Sequence, residues 1–142
     1  RAPDGVGAPG VAPVTVHLDT SFLIRALAAG SAEDRRLRQW IREGVTLGAS
    51  AIAWTEFLCG PVEDQDLELA KKLLGDPVAF GETESGGAAR LFNETGRRRG
   101  SLMDCMIAAS AIAAGASLAT SDVAGFRRFE RAGLTLVKSG RE

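Results

Sequence analysis

Five short apolar runs alternate with stretches of helical period in this chain, and no other sequence feature constrains its fold as strongly. The runs are Val14-Thr15-Val16-His17-Leu18, residues 46–50, Val78-Ala79-Phe80, residues 117–120 and residues 134–137. Strands that alternate with helices imply a parallel sheet with both faces covered. The expected fold class is therefore α/β, a three-layer α/β/α arrangement with a mainly parallel sheet of about five strands.

The helices carry their own punctuation. Residues 21–27 read as helical and Gly30 can end them. Ser31 can cap a second helix, in which Leu37, Trp40 and Ile41 fall on one face and Glu33, Arg35, Arg36 and Arg42 on the other, until Gly44 stops it. Glu56 is expected near the start of a helix that Gly60-Pro61 interrupts. Between residues 62 and 74 the acids Glu63, Asp64 and Asp66 come first and Lys71-Lys72 last, the order that complements a helix dipole. Ala88, Leu91, Phe92 and Thr95 form the inner stripe of a further helix. Ser101 and Asp104 have capping-box spacing before an apolar helix that ends near Gly115, and a short helix is expected around residues 126–131.

A chain of 142 residues, 45% of them hydrophobic, fits one domain with one core. Residues 1–13, rich in Gly, Pro and Ala without an apolar period, read as a flexible leader, and residues 14–142 as the single domain. A net charge of −1 excludes a protein that holds nucleic acid by bulk electrostatics, so any such contact must be local. Residues 105–119 are nearly all apolar, but too few to span a bilayer, and Asp104 stands at their entrance. Cys59 and Cys105 lack a CxxC spacing or a secretory signal, which reads as reduced thiols in a cytoplasmic protein.

Asp19, Glu56, Asp104 and Asp122 stand where strands or helix mouths hand the chain over. In open parallel sheets ligands bind beyond the carboxyl ends of the strands, so such acids converge. Carboxylates gathered without compensating bases repel one another unless they are protonated or bind a cation. Oxygen-only ligation points to a hard ion, Mg²⁺ or Mn²⁺, and such an ion suits phosphodiester hydrolysis. His17 is the single histidine, which excludes a histidine-rich zinc site. Structural roles compete for these residues. Asp19, Asp104 and Asp122 can each cap a helix, Glu56 can be a surface acid, and Thr20, Ser21, Thr120 and Ser121 are common cap and turn residues. Thr120 can equally orient a metal-bound water or a phosphate. Trp40, Trp54, His17 and Cys105 read as packing residues.

The motif His17-Leu18-Asp19-Thr20-Ser21-Phe22-Leu23-Ile24 resembles the opening motif of PIN-domain ribonucleases. Trp54-Thr55-Glu56-Phe57 with Gly60, residues 101–109 around Asp104, and Leu118-Ala119-Thr120-Ser121-Asp122 with Phe126 resemble the second, third and fourth motifs, in family order. Within that family the size is similar to VapC-type toxins of toxin–antitoxin pairs. The resemblance implies a Mg²⁺- or Mn²⁺-dependent endoribonuclease with Asp19, Glu56, Asp104 and Asp122 as catalytic metal ligands and Thr120 beside them. It further implies an RNA substrate, a homodimer and a cognate antitoxin that occludes the site. Many relatives carry another acid three residues after the fourth motif's acid; Gly125 stands there in this chain. Arg97, Arg98 and Arg99, shortly before Asp104, are candidate contacts to RNA phosphates. Two alternatives stay open. One is a non-cleaving PIN-like module that binds RNA or protein. The other is a haloacid-dehalogenase-type phosphatase, which expects a second acid where this chain has Ser21.

Overall fold

In the computed structural model, residues 15–137 are described. The leader expected over residues 1–13 lies outside them. Three strands, β1 (Thr15–Leu18), β2 (Thr46–Gly48) and β3 (Ser117–Ala119), form a parallel sheet in the order β2-β1-β3. Thr15 pairs with Thr46 on one side of β1, and Leu18 with Ala119 on the other. The other two expected strands shrink to single parallel bridges, Ser50 with Val78 and Leu118 with Leu136. Val78 follows a proline, which has no N–H for a ladder, and only its own amide and carbonyl engage the sheet, through Ala49 and Ala51.

Helices α1 (Thr20–Ala26), α2 (Ala32–Glu43), α3 (Ala51–Cys59), α4 (Asp64–Leu74), α5 (Glu82–Glu94), α6 (Leu102–Ala114) and α7 (Val123–Phe126) connect and cover the strands, and a 3-10 helix (Arg127–Ala132) follows. Adjacent side chains of a strand point to opposite faces, so the sheet feeds two cores. Val16, Leu18 and Ala119 join Phe22, Leu37, Trp40, Phe57 and Leu74 on one face. Leu118 joins Leu91, Ile107, Phe126, Phe129 and Leu134 on the other. This is the expected parallel sheet with helices on both faces.

Small residues let α6 sit deep in the second core. Cys105, Ala108, Ala109 and Ala111 are buried along it, and α5 approaches so closely that a Cβ at Gly87 would lie 3.3 Å from that of Ala109. Ser31 caps α2 through the Asp34 amide, and Gly44 ends it with φ 76°. Ile41 departs from the expected stripe: it is exposed, because the inward face of α2 is carried by Asp34, Leu37 and Trp40. Trp40 stacks on Phe22, Trp54 packs against Phe57, and His17 is buried in β1, where loss of solvation holds its imidazole below the usual pKa. Cys59 is exposed and Cys105 buried; both are free thiols. Among the described residues no helix is long and apolar enough to cross a membrane.

Candidate acidic site at the strand ends

Asp19 follows β1 directly, and its amide extends the ladder by bonding the Ala119 carbonyl at 2.9 Å. That bond fixes the backbone from which the carboxylate projects. One carboxylate oxygen, Oδ1, accepts from the Thr20 amide at 2.7 Å and so caps α1. The other, Oδ2, accepts from the hydroxyls of Thr120 at 2.7 Å and Ser21 at 3.0 Å. The capping role and a site role are thus filled by different oxygens of one buried side chain.

Thr120 closes β3 and links the two flanks of the site. Its Oγ1 donates to Asp19 and accepts from the Asp122 amide at 3.0 Å. Ser21 also accepts from the Ser121 amide at 3.1 Å, tying α1 to the turn after β3. Ser121 in turn donates to Glu33 at 3.0 Å, a residue of α2 that the strand and helix patterns gave no reason to place here.

Glu56 occupies the second half of α3, not its start, because Ser50 caps that helix through the Ala53 amide. From there it faces α1, where the Thr20 hydroxyl lies 3.0 Å from both Glu56 Oε1 and the Ala53 carbonyl. Thr20 has one hydroxyl proton for two acceptors. A protonated Glu56 can supply the missing one. Burial first, and then the charges of Asp19 and Asp104, raise the Glu56 pKa above the usual carboxylate range against the Thr20 hydrogen bond.

Asp104 stands in the first turn of α6, but the capping box does not form. Ser101 makes no side-chain cap; its hydroxyl donates to the Arg98 carbonyl at 2.7 Å. The Asp104 carboxylate is therefore left facing the other acids. Burial raises its pKa, Arg128 opposes the rise, and Asp19 and Asp122 add to it. The opposing Arg128 Nη2 lies 3.6 Å from Asp104 Oδ2. Asp122 fills the structural role foreseen for it: Oδ1 accepts from the Gly125 amide at 3.1 Å and caps α7. Its side chain lies so close over Gly125 that a Cβ there would meet Oδ2 at 2.3 Å.

The fold thus brings the four acids to one end of the sheet; Thr20 joins Glu56 to Asp19 through its hydroxyl and its amide, and the Thr120 hydroxyl joins Asp19 to the Asp122 backbone, while Asp104 stands across from Arg128. Among the described residues no three acids stand close enough to ligate one ion directly. Their chemistry suits a hydrated Mg²⁺ or Mn²⁺, which keeps several waters and needs only one or two carboxylates. Burial above all, with a smaller contribution from the neighbouring acids, makes the charged forms of Glu56 and Asp104 costly here. Arg97, Arg98 and Arg99 lie exposed on the turn between α5 and α6; Arg97 packs over Phe92 with φ 54°. Local sequence pattern gives no sign of Thr20, Ser21, Glu33 or Arg128 at the site, because it does not reveal contacts between residues far apart in the chain such as Thr20–Glu56, Ser121–Glu33 and Asp104–Arg128.

No curated protein matches the chain in sequence. Among solved structures, the fold is similar to a chain of VapBC-1 from nontypeable Haemophilus influenzae, with TM-score 0.68, 19% identity and coverage of 91% of this chain and 100% of that one. A chain of VapBC2 from Rickettsia felis, in a structure bound to a promoter DNA fragment, gives TM-score 0.67 and 20% identity over 87% of this chain and 98% of that one. For FitAcB from Neisseria gonorrhoeae the values are 0.63, 19%, 87% and 97%. The family model described as PIN domain matches residues 16–132, from the first strand to the end of the 3-10 helix and across all four acids. On that match, over most of its length, the chain belongs to the PIN domain family.

Proposed function

We propose that this protein is a metal-dependent endoribonuclease that hydrolyses RNA phosphodiester bonds, the VapC-type toxin of a type II toxin–antitoxin pair. The observation that carries this reading is Asp19. It is buried at the end of the central strand, fixed by Thr120, Ser21 and the Thr20 amide, and set among acids whose protonation is pushed upward. PIN domains are in general nucleases, which supports hydrolysis.

In this reading Asp19, Glu56, Asp104 and Asp122 would hold a hydrated Mg²⁺ or Mn²⁺, one or two of them directly and the others through its waters. The bound ion supplies a more acidic water and neutralises charge on the phosphoryl oxygens. Asp19 is held still by three donors, so little reorganisation is needed when the ion enters. Thr120 keeps Asp19 oriented. Arg97, Arg98 and Arg99 are assigned to RNA phosphates, where each exchanges counterions for backbone contact.

The structural neighbours are VapBC and FitAcB assemblies, which supports a cognate antitoxin as partner. A homodimer, a cytoplasmic setting and residues 14–142 as a single catalytic domain belong to the same proposal. The second reading, a PIN-like module that binds RNA or protein without cutting, draws on Gly125 and on the absence of a close acid trio among the described residues. Incubating purified protein with structured and unstructured RNAs separates the two. Fragments with new internal ends in Mn²⁺, lost in EDTA and in Asp19→Asn, support the nuclease; binding without fragments supports the module.

A further inference from the structure

Among the described residues Arg128 is the one cation paired with an acid of the site. Three contacts hold it. Phe129 lies under the guanidinium, with Cζ 4.3 Å from the ring centroid; Nη1 donates to the Gly125 carbonyl; and Nη2 stands 3.6 Å from Asp104 Oδ2. Its Nε is buried with no partner, and the side chain keeps 20% of its exposure. A buried N–H without an acceptor opposes folding, so the aromatic packing and the carbonyl hold the guanidinium here against hydration. A guanidinium cannot give up its proton, which makes this charge permanent.

The Asp104 contact is longer than the usual charge-assisted hydrogen bond, so Nη2 is attracted to the carboxylate without being saturated by it. Gly125 belongs to the same device. Its carbonyl seats Arg128, while its missing side chain leaves room for Asp122 to fold back into its cap.

Resting on the nuclease reading, we propose that Arg128 is the fixed cation of this site: it takes the place of a second divalent ion beside Asp104 and offers Nη2 to a phosphate oxygen of the RNA. The acids then hold one ion. Charge that builds on the phosphoryl oxygens is shared between that ion and a planar fork suited to phosphate.

Calorimetric Mn²⁺ titration without RNA, together with steady-state cleavage, tests this on wild type, Arg128→Gln and Arg128→Lys. Gln keeps a donor for the Gly125 carbonyl while removing the charge, so a packing defect is not mistaken for a charge effect. Wild type is expected to bind one Mn²⁺. Arg128→Gln should bind it roughly two- to fivefold tighter, as for the loss of one partly exposed charge contact. Its kcat should fall about 10²-fold with a smaller change in KM, the scale of losing one oriented donor at a developing charge, and Lys should recover part of it. Two Mn²⁺ bound by wild type, or an unchanged kcat in Arg128→Gln, overturns the proposal while leaving the nuclease standing. If wild type neither binds Mn²⁺ nor cleaves RNA, the nuclease reading fails and Arg128's role fails with it.

Discussion

Asp19 and Asp104 bring the same carboxylate to the same end of the sheet, yet their surroundings differ. Asp19 is buried, its backbone is held by the β3 ladder, and three donors fix its two oxygens. Asp104 is partly exposed at a helix start whose cap goes elsewhere, and its described partner is the distant fork of Arg128. Strand ends in a parallel sheet are fixed by two neighbours at once, whereas the first turn of a helix leaves its side chains to whatever packs nearby. The strand flank is preorganised and the helix flank adjustable, so substitutions should hurt unequally.

The largest effect is expected on the strand flank. Asp19→Asn keeps the shape and most hydrogen-bonding capacity but removes the charge, and should cut RNA cleavage by about 10³-fold or more while near-native circular dichroism persists. Activity close to wild type would break the comparison at its root. Thr120→Val comes next, since one hydroxyl both orients Asp19 and receives the Asp122 amide. Misplacing a fixed ligand by a fraction of an ångström should lower kcat by about 10- to 100-fold, measured at saturating RNA.

On the helix flank the losses should be smaller. Asp122→Ala should lower activity by less than about tenfold and cost about 1 kcal/mol of stability, the usual loss of an N-cap, read from urea unfolding. A loss as large as that of Asp19→Asn would show that Asp122 is a ligand first and a cap second.

The pH dependence of stability sharpens the same contrast. The folded pKa of Glu56 is raised, so folding favours its protonated form. Its stabilising share is fully present below the unfolded carboxylate pKa of about 4 and is lost as pH rises through the folded value. Glu56→Gln should therefore melt higher than wild type at pH 7, with the gap closing below about pH 4. Asp34 works in the opposite sense. The Gly30 amide and Arg38 lower its pKa, so its share is present at neutral pH and lost on acidification. A melting curve for Glu56→Gln that parallels wild type at every pH would mean that burial does not penalise the Glu56 carboxylate.

Much of this fold is legible in the sequence, because it rests on local patterns. The order of strands and helices, the caps at Ser31 and Gly44, and the acids at the strand ends all follow from residues close in the chain. The strand number is less legible: Val78 and Leu136 look strand-like, but each meets the sheet through a single bridge, and pairing length depends on how far a neighbour runs alongside. Ser101 and Asp104 have the spacing of a cap, yet the Arg98 carbonyl captures the serine. Glu56 falls later in its helix than expected because Ser50, the last of an apolar run, already caps it. Arg128 is invisible to pattern. Two residues past Phe126 it is one more basic residue until the fold lays it over Phe129 and against Asp104.

The most direct test of the central claim is a time course of a defined RNA with purified protein in Mn²⁺, in excess EDTA, and with Asp19→Asn in Mn²⁺. The account predicts fragments with new internal ends in the first reaction and intact RNA in the other two. Equal cleavage in EDTA or by Asp19→Asn, or intact RNA in all three, would contradict it.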